Sequence, residues 1–284
     1  MRFIVLAALC SVCVSILLKF AKQKGYAPMQ MITWNYLAAS LLSWWWFQPD
    51  FTAVSVQTPW WLIVSLGILL PSVFLCLAQA LHHAGILKTE IAQRLSVVLS
   101  LTAAYFIFNE SFNGVKIFGI ALGVLAIITL ISSHRHGQVA TSHAMWYLVL
   151  VWLGYALIDV LLKYTTSLGV QFALILNLMF IFAFVISLAW LRLRAHTWGE
   201  AKNIMAGLGL GVLNFANIAL YIQAHRLLKD TPAVVFAGMN ILVVVFGVLA
   251  GVWLFKEQLK ARSVLGLILA LMSVGCLAVA MSSI

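Results

Sequence analysis

The chain has 284 residues, of which 8% are charged and 64% hydrophobic, with a mean hydropathy of +1.08. A soluble fold, with charge on about a quarter of its residues, has too little interior to hide that much apolar surface, so the composition excludes one and makes the lipid bilayer the solvent. The net charge of +10 does not mark a nucleic-acid binder, because the lysines and arginines lie between apolar runs as topology signals and headgroup anchors, with no basic stripe of interleaved exposed aromatics.

The first apolar stretch, Phe3 to Leu18 after Arg2, has the look of a signal peptide. It lacks a clear small-x-small cleavage site, and its counterpart at Tyr147 to Leu162 lies mid-chain, so it is expected to stay in the mature protein. Cys10 and Cys13 form a C-x-x-C that shares a helix face. Together with Cys76 and Cys276 they sit inside apolar runs and read as small packing residues. Continuing along the chain, stretches long enough to cross roughly 30 Å of hydrocarbon at 1.5 Å per residue fall at residues 3–20, 29–47, 60–81, 88–108, 114–132, 145–164, 170–191, 203–226, 231–255 and 262–282. Gly25 and Pro28 separate the first two, Pro49 and Pro59 flank the next loop, and Trp44, Trp45, Trp46, Trp60 and Trp61 cluster at one headgroup level. No alternation of period two runs through the segments, which excludes a barrel. His134, His136 and His143 cluster in one loop at spacings that match no tetrahedral ligand pattern, so no metal is expected.

The two halves echo each other. Leu17-Leu18-Lys19-Phe20 returns as Leu161-Leu162-Lys163-Tyr164, and Gln79-Ala80 as Gln223-Ala224, at an offset of 144. After a slip of three, Phe108-Asn109-Glu110 maps onto Phe255-Lys256-Glu257 and Gly119 onto Gly266. The expected architecture is therefore an all-α integral membrane protein: ten transmembrane helices in two five-helix repeats, residues 1–140 and 141–284, forming one membrane domain around a central cavity. Five spans is an odd number, so the second repeat enters from the opposite side and the repeats are inverted. The loops after spans 1, 3, 5, 7 and 9 hold eleven of the 17 basic residues, the termini and other loops five, and Arg94 lies within a span. That bias places the termini outside.

Ionisable and amide side chains within hydrocarbon are the candidates for solute contact, since each charge there costs at least about 2.5 kcal/mol unless a partner or wet cavity offsets it. Span 2 offers Trp34 and Asn35, and span 3 Gln79. Span 4 carries Glu90, Gln93 and Arg94 on one face: either Arg94 attracts a solute carboxylate or phosphate while Glu90 orients it or takes a coupling proton, or the two form a helix pair in an interhelical seam. Asp159 stands where the first repeat has Ser15, with Lys163 one turn on; it either faces the cavity or is neutralised by a snorkelling Lys163, and Lys19 reads as an interface lysine. Span 7 adds Asn177, span 8 a stripe of Asn214, Asn217 and Tyr221, and span 9 Asn240, each an interhelical fastener or cavity lining.

Ile91-Ala92-Gln93-Arg94-Leu95-Ser96-Val97-Val98 through Phe108-Asn109-Glu110-Ser111, and Trp253-Leu254-Phe255-Lys256-Glu257-Gln258-Leu259, together with the span count, resemble the drug/metabolite transporter superfamily and its EamA-type members. Family members usually carry Gly before that Glu, where this chain has Asn109 and Lys256. The resemblance implies a cavity lined by spans 1–4 and 6–9, supporting spans 5 and 10, and cytoplasmic termini, against the charge count. Gly119-x-x-x-Gly123, Gly266-x-x-x-Ala270, Gly207-x-x-x-Gly211 and Gly247-x-x-x-Gly251 read as helix packing.

The expected function is a secondary transporter, in the plasma (inner) membrane, that moves a small polar or amphipathic metabolite, such as an amino acid or related organic solute, by alternating access. Its partners would be the solute and the lipid bilayer, with protons as a secondary coupling candidate through Glu90 or Asp159, and either a monomer or a dimer is compatible. A flippase for a lipid-linked sugar or headgroup is the alternative within the fold, and a non-transporting scaffold the alternative outside it. There is no phosphate-binding loop, H-E-x-x-H or G-x-S-x-G, so neither ATP hydrolysis, an enzymatic role nor a cofactor is expected.

Overall fold

The structure, a computed structural model, describes residues 2–55, 57–108, 113–132, 142–196, 198–230 and 232–282. Asn109, Glu110 and Ser111 of the family-like motif, His134 and His136, and the junction between the two halves lie outside them. Among the described residues all regular structure is helical: α1 (Arg2–Gln23), α2 (Pro28–Phe47), a short 3-10 turn (Phe51–Ala53), α3 (Trp60–His83), α4 (Ile86–Arg94), α5 (Ser96–Phe108), α6 (Gly114–Ser132), α7 (Ser142–Ser167), α8 (Phe172–Ala195), α9 (Ala201–Leu227), α10 (Pro232–Phe255) and α11 (Ala261–Ser282). Eight segments, with Ile86–Ile107 taken as one, are long and apolar enough to cross a membrane. Gly114–Leu130 is apolar but shorter. The 20-residue α2 is long enough, but Gln30, Asn35, two serines and four tryptophans lower its hydropathy.

Local chemistry sets the ends. Pro28 opens α2, where a missing N–H is no loss, and Gln48 closes it in the left-handed region at φ 44° with its N–H on the Trp44 carbonyl, 3.0 Å. In the following loop Asp50 accepts from the Thr52 hydroxyl at 2.6 Å and amide at 2.9 Å, and these bonds hold its carboxyl below the usual carboxylate pKa.

Neighbours around the bundle run α1, α9, α2, α8, α3, α7, α4, α10 and back to α1, while α6 and α11 pack on each other outside that ring. Small residues allow the tightest crossings. A Cβ on Gly207 would lie 2.5 Å from the Met31 carbonyl oxygen, and one on Gly211 2.5 Å from that of Asn35, so α9 and α2 meet backbone to backbone. Between α6 and α11 the glycines admit side chains instead, Cys276 and Leu277 against Gly119 and Leu130 against Gly266, and Ser273 fastens the pair by donating to the Gly119 carbonyl at 2.7 Å.

The fourth span is broken. α4 ends at Arg94, Leu95 makes a turn, and α5 starts at Ser96. The Trp152 indole N–H of α7 donates to the Leu95 carbonyl at 2.9 Å, and the Ser96 hydroxyl to that of Gln93 at 2.7 Å, so carbonyls at the break are satisfied within the protein.

Candidate functional site

A cavity of about 670 Å³ lies inside the ring. Its wall includes Leu70, Val73 and Phe74 from α3, Leu176, Met179 and Phe180 from α8, and Phe236 and Met239 from α10, an apolar lining into which a few polar groups project. Phe172 at the start of α8, Leu162 near the end of α7, and His225 and Arg226 at the end of α9 mark its mouth. The cavity thus opens at the end of the bundle where α7 and α9 finish, which is also the end where α1 starts and α11 stops.

Of the residues singled out by sequence, Gln93, Arg94, Asp159, Asn214, Asn217, Tyr221 and Asn240 line this one cavity. Arg94 donates from Nη2 to the Ser11 hydroxyl at 2.6 Å, while its buried Nε has no partner among the described residues. The amide oxygen of Asn217 is likewise buried without a partner. Asp159 is exposed to solvent on the cavity wall, and among the described residues it forms no hydrogen bond or ion pair. Asp159 thus faces the cavity, the first of the two readings that the sequence left open. Asn214 reaches back to the Asn35 amide oxygen at 3.3 Å, and Asn240 donates to the Phe236 carbonyl at 2.8 Å.

The other five candidates lie off the cavity wall. Glu90 is 1% exposed and accepts from the Ser15 hydroxyl, with its second oxygen buried and unpartnered among the described residues. The Glu90–Arg94 helix pair, one of the two readings open in the sequence, is not formed among the described residues: Ser15 and Ser11, also four apart on the antiparallel α1, take one side chain each. Glu90 has room because α10 presents Gly247, whose Cβ would lie 2.9 Å from the Glu90 Cγ. Asn177 donates to the Ser40 carbonyl at 2.8 Å and the Ser43 hydroxyl at 2.7 Å, which makes it a fastener between α8 and α2. Trp34 donates to the Trp198 carbonyl at 3.1 Å, Asn35 is fully buried between α2 and α9, and Gln79 is half-buried outside the cavity lining.

Tyr36, Ser96, Tyr155, His225 and Arg226 also line the cavity, and the sequence reading did not single them out. Tyr155 lies one turn before Asp159, and His225 one turn after Tyr221, whose ring it meets edge-on at 4.7 Å, so helical spacing was the available signal.

The opposite end is shut by polar contacts between the halves. Lys19, expected at the headgroups, is instead 7% exposed, paired with Glu257 and placed 4.3 Å over the Phe255 ring. Asn203 accepts from the Ala27 amide at 3.2 Å and donates to Gln30 at 2.6 Å. None of these residues lines the cavity.

The EamA-like transporter family matches residues 1–132. Over nearly its whole length the chain is also similar to a protein of Haemophilus influenzae described as uncharacterized, with 37% identity over 286 residues that cover 98% of this chain and 97% of that one. The chain belongs to the EamA-like transporter family. A crystal structure described as that of a protein aligns with a TM-score of 0.56 at 13% identity, covering 97% of this chain and 98% of the other, which supports the fold alone. As a member of this drug/metabolite transporter family the chain is a multi-pass integral membrane protein, and the family's members are transporters.

Proposed function

We propose that this EamA-like protein is a secondary transporter of the plasma membrane that moves a small zwitterionic or amphipathic metabolite, an amino acid or a related organic solute, by alternating access. The observation that carries this reading is the cavity wall: inward of Arg226 at the mouth stand a cation, Arg94, and the one acidic side chain of the lining, Asp159, neither engaged with the other by an ion pair among the described residues, beside a broad apolar surface. A solute carboxylate suits the unpartnered Nε of Arg94, an ammonium suits Asp159, and Asn217 and Gln93 supply further hydrogen bonds. The apolar wall suits a side chain or tail.

The mechanism follows from ten spans arranged as inverted repeats, residues 1–140 and 141–284. Helix neighbours support that arrangement: α1 against α9 is matched by α7 against α3, α2 against α9 by α8 against α3, and α1 against α10 by α7 against α4 and α5. The pairs α2 with α8, α4 with α10 and α6 with α11 each map onto themselves. Such a pseudo-two-fold lets one end open as the other closes. Asp159 remains the accessible carboxylate for any proton coupling, and Glu90 a buried one behind the wall.

A thermal-shift screen of the purified protein against a metabolite library tests the reading. A zwitterionic solute should raise the melting temperature of the wild type and not of Arg94→Ala. Equal stabilisation of both would refute the assignment of Arg94.

A further inference from the structure

We infer that α4 is a lever between the closed end and the cavity, and that Glu257, on the α10–α11 connection, is the residue that positions it. The inference rests on the transporter reading for its purpose and on geometry for its content. The residue before α4 is Gly85, at φ +90°, which has no side chain to cap the helix. The cap comes instead from the other half of the protein: Glu257 accepts from the Ile86 amide at 2.7 Å and the Leu87 amide at 3.2 Å, while pairing with Lys19 of α1. A carboxylate at a helix N-terminus meets both the unpaired amides and the positive end of the dipole. Two glycines make room for it, since a Cβ on Gly85 would lie 2.8 Å from the Glu257 Cδ and one on Gly251 2.9 Å from Oε2.

At its other end α4 stops at the break, with Arg94 as its last residue. About 12 Å of helix, eight residues at 1.5 Å each, therefore separates the capped amides from the guanidinium-bearing residue. Leu95 is the fulcrum: its carbonyl is held by Trp152 of α7 at 2.9 Å and by the Val98 amide at 3.0 Å, so α5 keeps its anchor when α4 swings. Midway, Glu90 ties α4 to Ser15. Parting the two halves at the closed end withdraws Glu257, uncaps α4 and turns Arg94 with it, so opening that end changes the residue that holds the solute. Glu257 touches no solute and acts through α4.

Hydrogen exchange read by mass spectrometry on the intact protein in detergent, without solute, tests this. In Glu257→Ala the amides of residues 86–94 should exchange about tenfold faster, the change should stop at Leu95, and α6 and α11 should keep wild-type protection. Phenylglyoxal should modify Arg94 at least about threefold faster in the same variant, as a side chain released with its helix would be. Unchanged exchange in 86–94, or acceleration extending equally through residues 96–108, would overturn the lever. Should Glu257→Ala not fold, Glu257→Gln, which keeps an acceptor and loses the charge, should give the same localised pattern at smaller amplitude, and its absence there would also overturn it. Because no solute is present, a negative result leaves the transport reading to stand or fall on uptake.

Discussion

Substituting Gly211 with Ala tests the close crossing of α2 and α9. The new Cβ would lie 2.5 Å from the Asn35 carbonyl oxygen and 2.7 Å from the Ala38 Cβ, while ordinary contact begins near 3.4 Å. The first obstacle is backbone, which no rotamer can remove, so the two helices must part by roughly 1 Å. Overpacking of this kind costs about 1–3 kcal/mol, and a backbone obstacle belongs at the upper end. Ala is the better helix former by about 1 kcal/mol, which leaves a net loss of roughly 2 kcal/mol. Gly209, two residues earlier on the same helix, supplies the control, because nothing lies within 4 Å of a Cβ placed there. Gly209→Ala should therefore gain the propensity term alone. In a thermal melt of detergent-solubilised protein, Gly211→Ala should fall by roughly 5 °C and Gly209→Ala rise by about 2 °C, at about 2–4 °C per kcal/mol for a chain of this size. A Gly211→Ala variant as stable as Gly209→Ala would refute the crossing.

Asn177→Ala should lower the melting temperature slightly, in line with an interhelical amide worth about 0.6 kcal/mol, and leave solute-induced stabilisation intact; Asn217→Ala should do the reverse, losing stabilisation with little change in the unliganded melt. Trp152→Phe keeps the ring and removes the indole N–H that reaches the Leu95 carbonyl, so it should cost about 1 kcal/mol in the same melt; no change would mean that the break does not depend on that bond. Gly85→Ala must hold φ +90° and meet Glu257 at 2.8 Å, and should destabilise by about 1–3 kcal/mol in a thermal melt.

Helical spacing made the span 8 stripe legible, and Asn214, Asn217 and Tyr221 do share one face of the cavity. The span bounds also placed Arg94 within the membrane. Spacing says which side chains share a face but not which neighbouring helix offers the better partner. Glu90 and Arg94 each take a serine of α1, 75 and 83 residues away in the chain. Lys19 reads as an anchor because its partner is 238 residues distant and reaches it only where the two halves meet. Gly247-x-x-x-Gly251 reads as packing between helices, and both glycines do admit a neighbour, but the neighbours are the side chains of Glu90 and Glu257. Tyr36 carried no distinguishing signal within its apolar run, because an aromatic there serves equally well against lipid, core or solute.

Uptake of a labelled amino-acid mixture into proteoliposomes, comparing the wild type with Arg94→Ala and Asp159→Asn at equal folded protein, tests the central claim most directly. The wild type should accumulate at least one zwitterion above empty liposomes, and both variants should lose at least about tenfold of that rate, the loss expected when a buried charge is left without its partner. Wild-type uptake by Arg94→Ala would contradict the account.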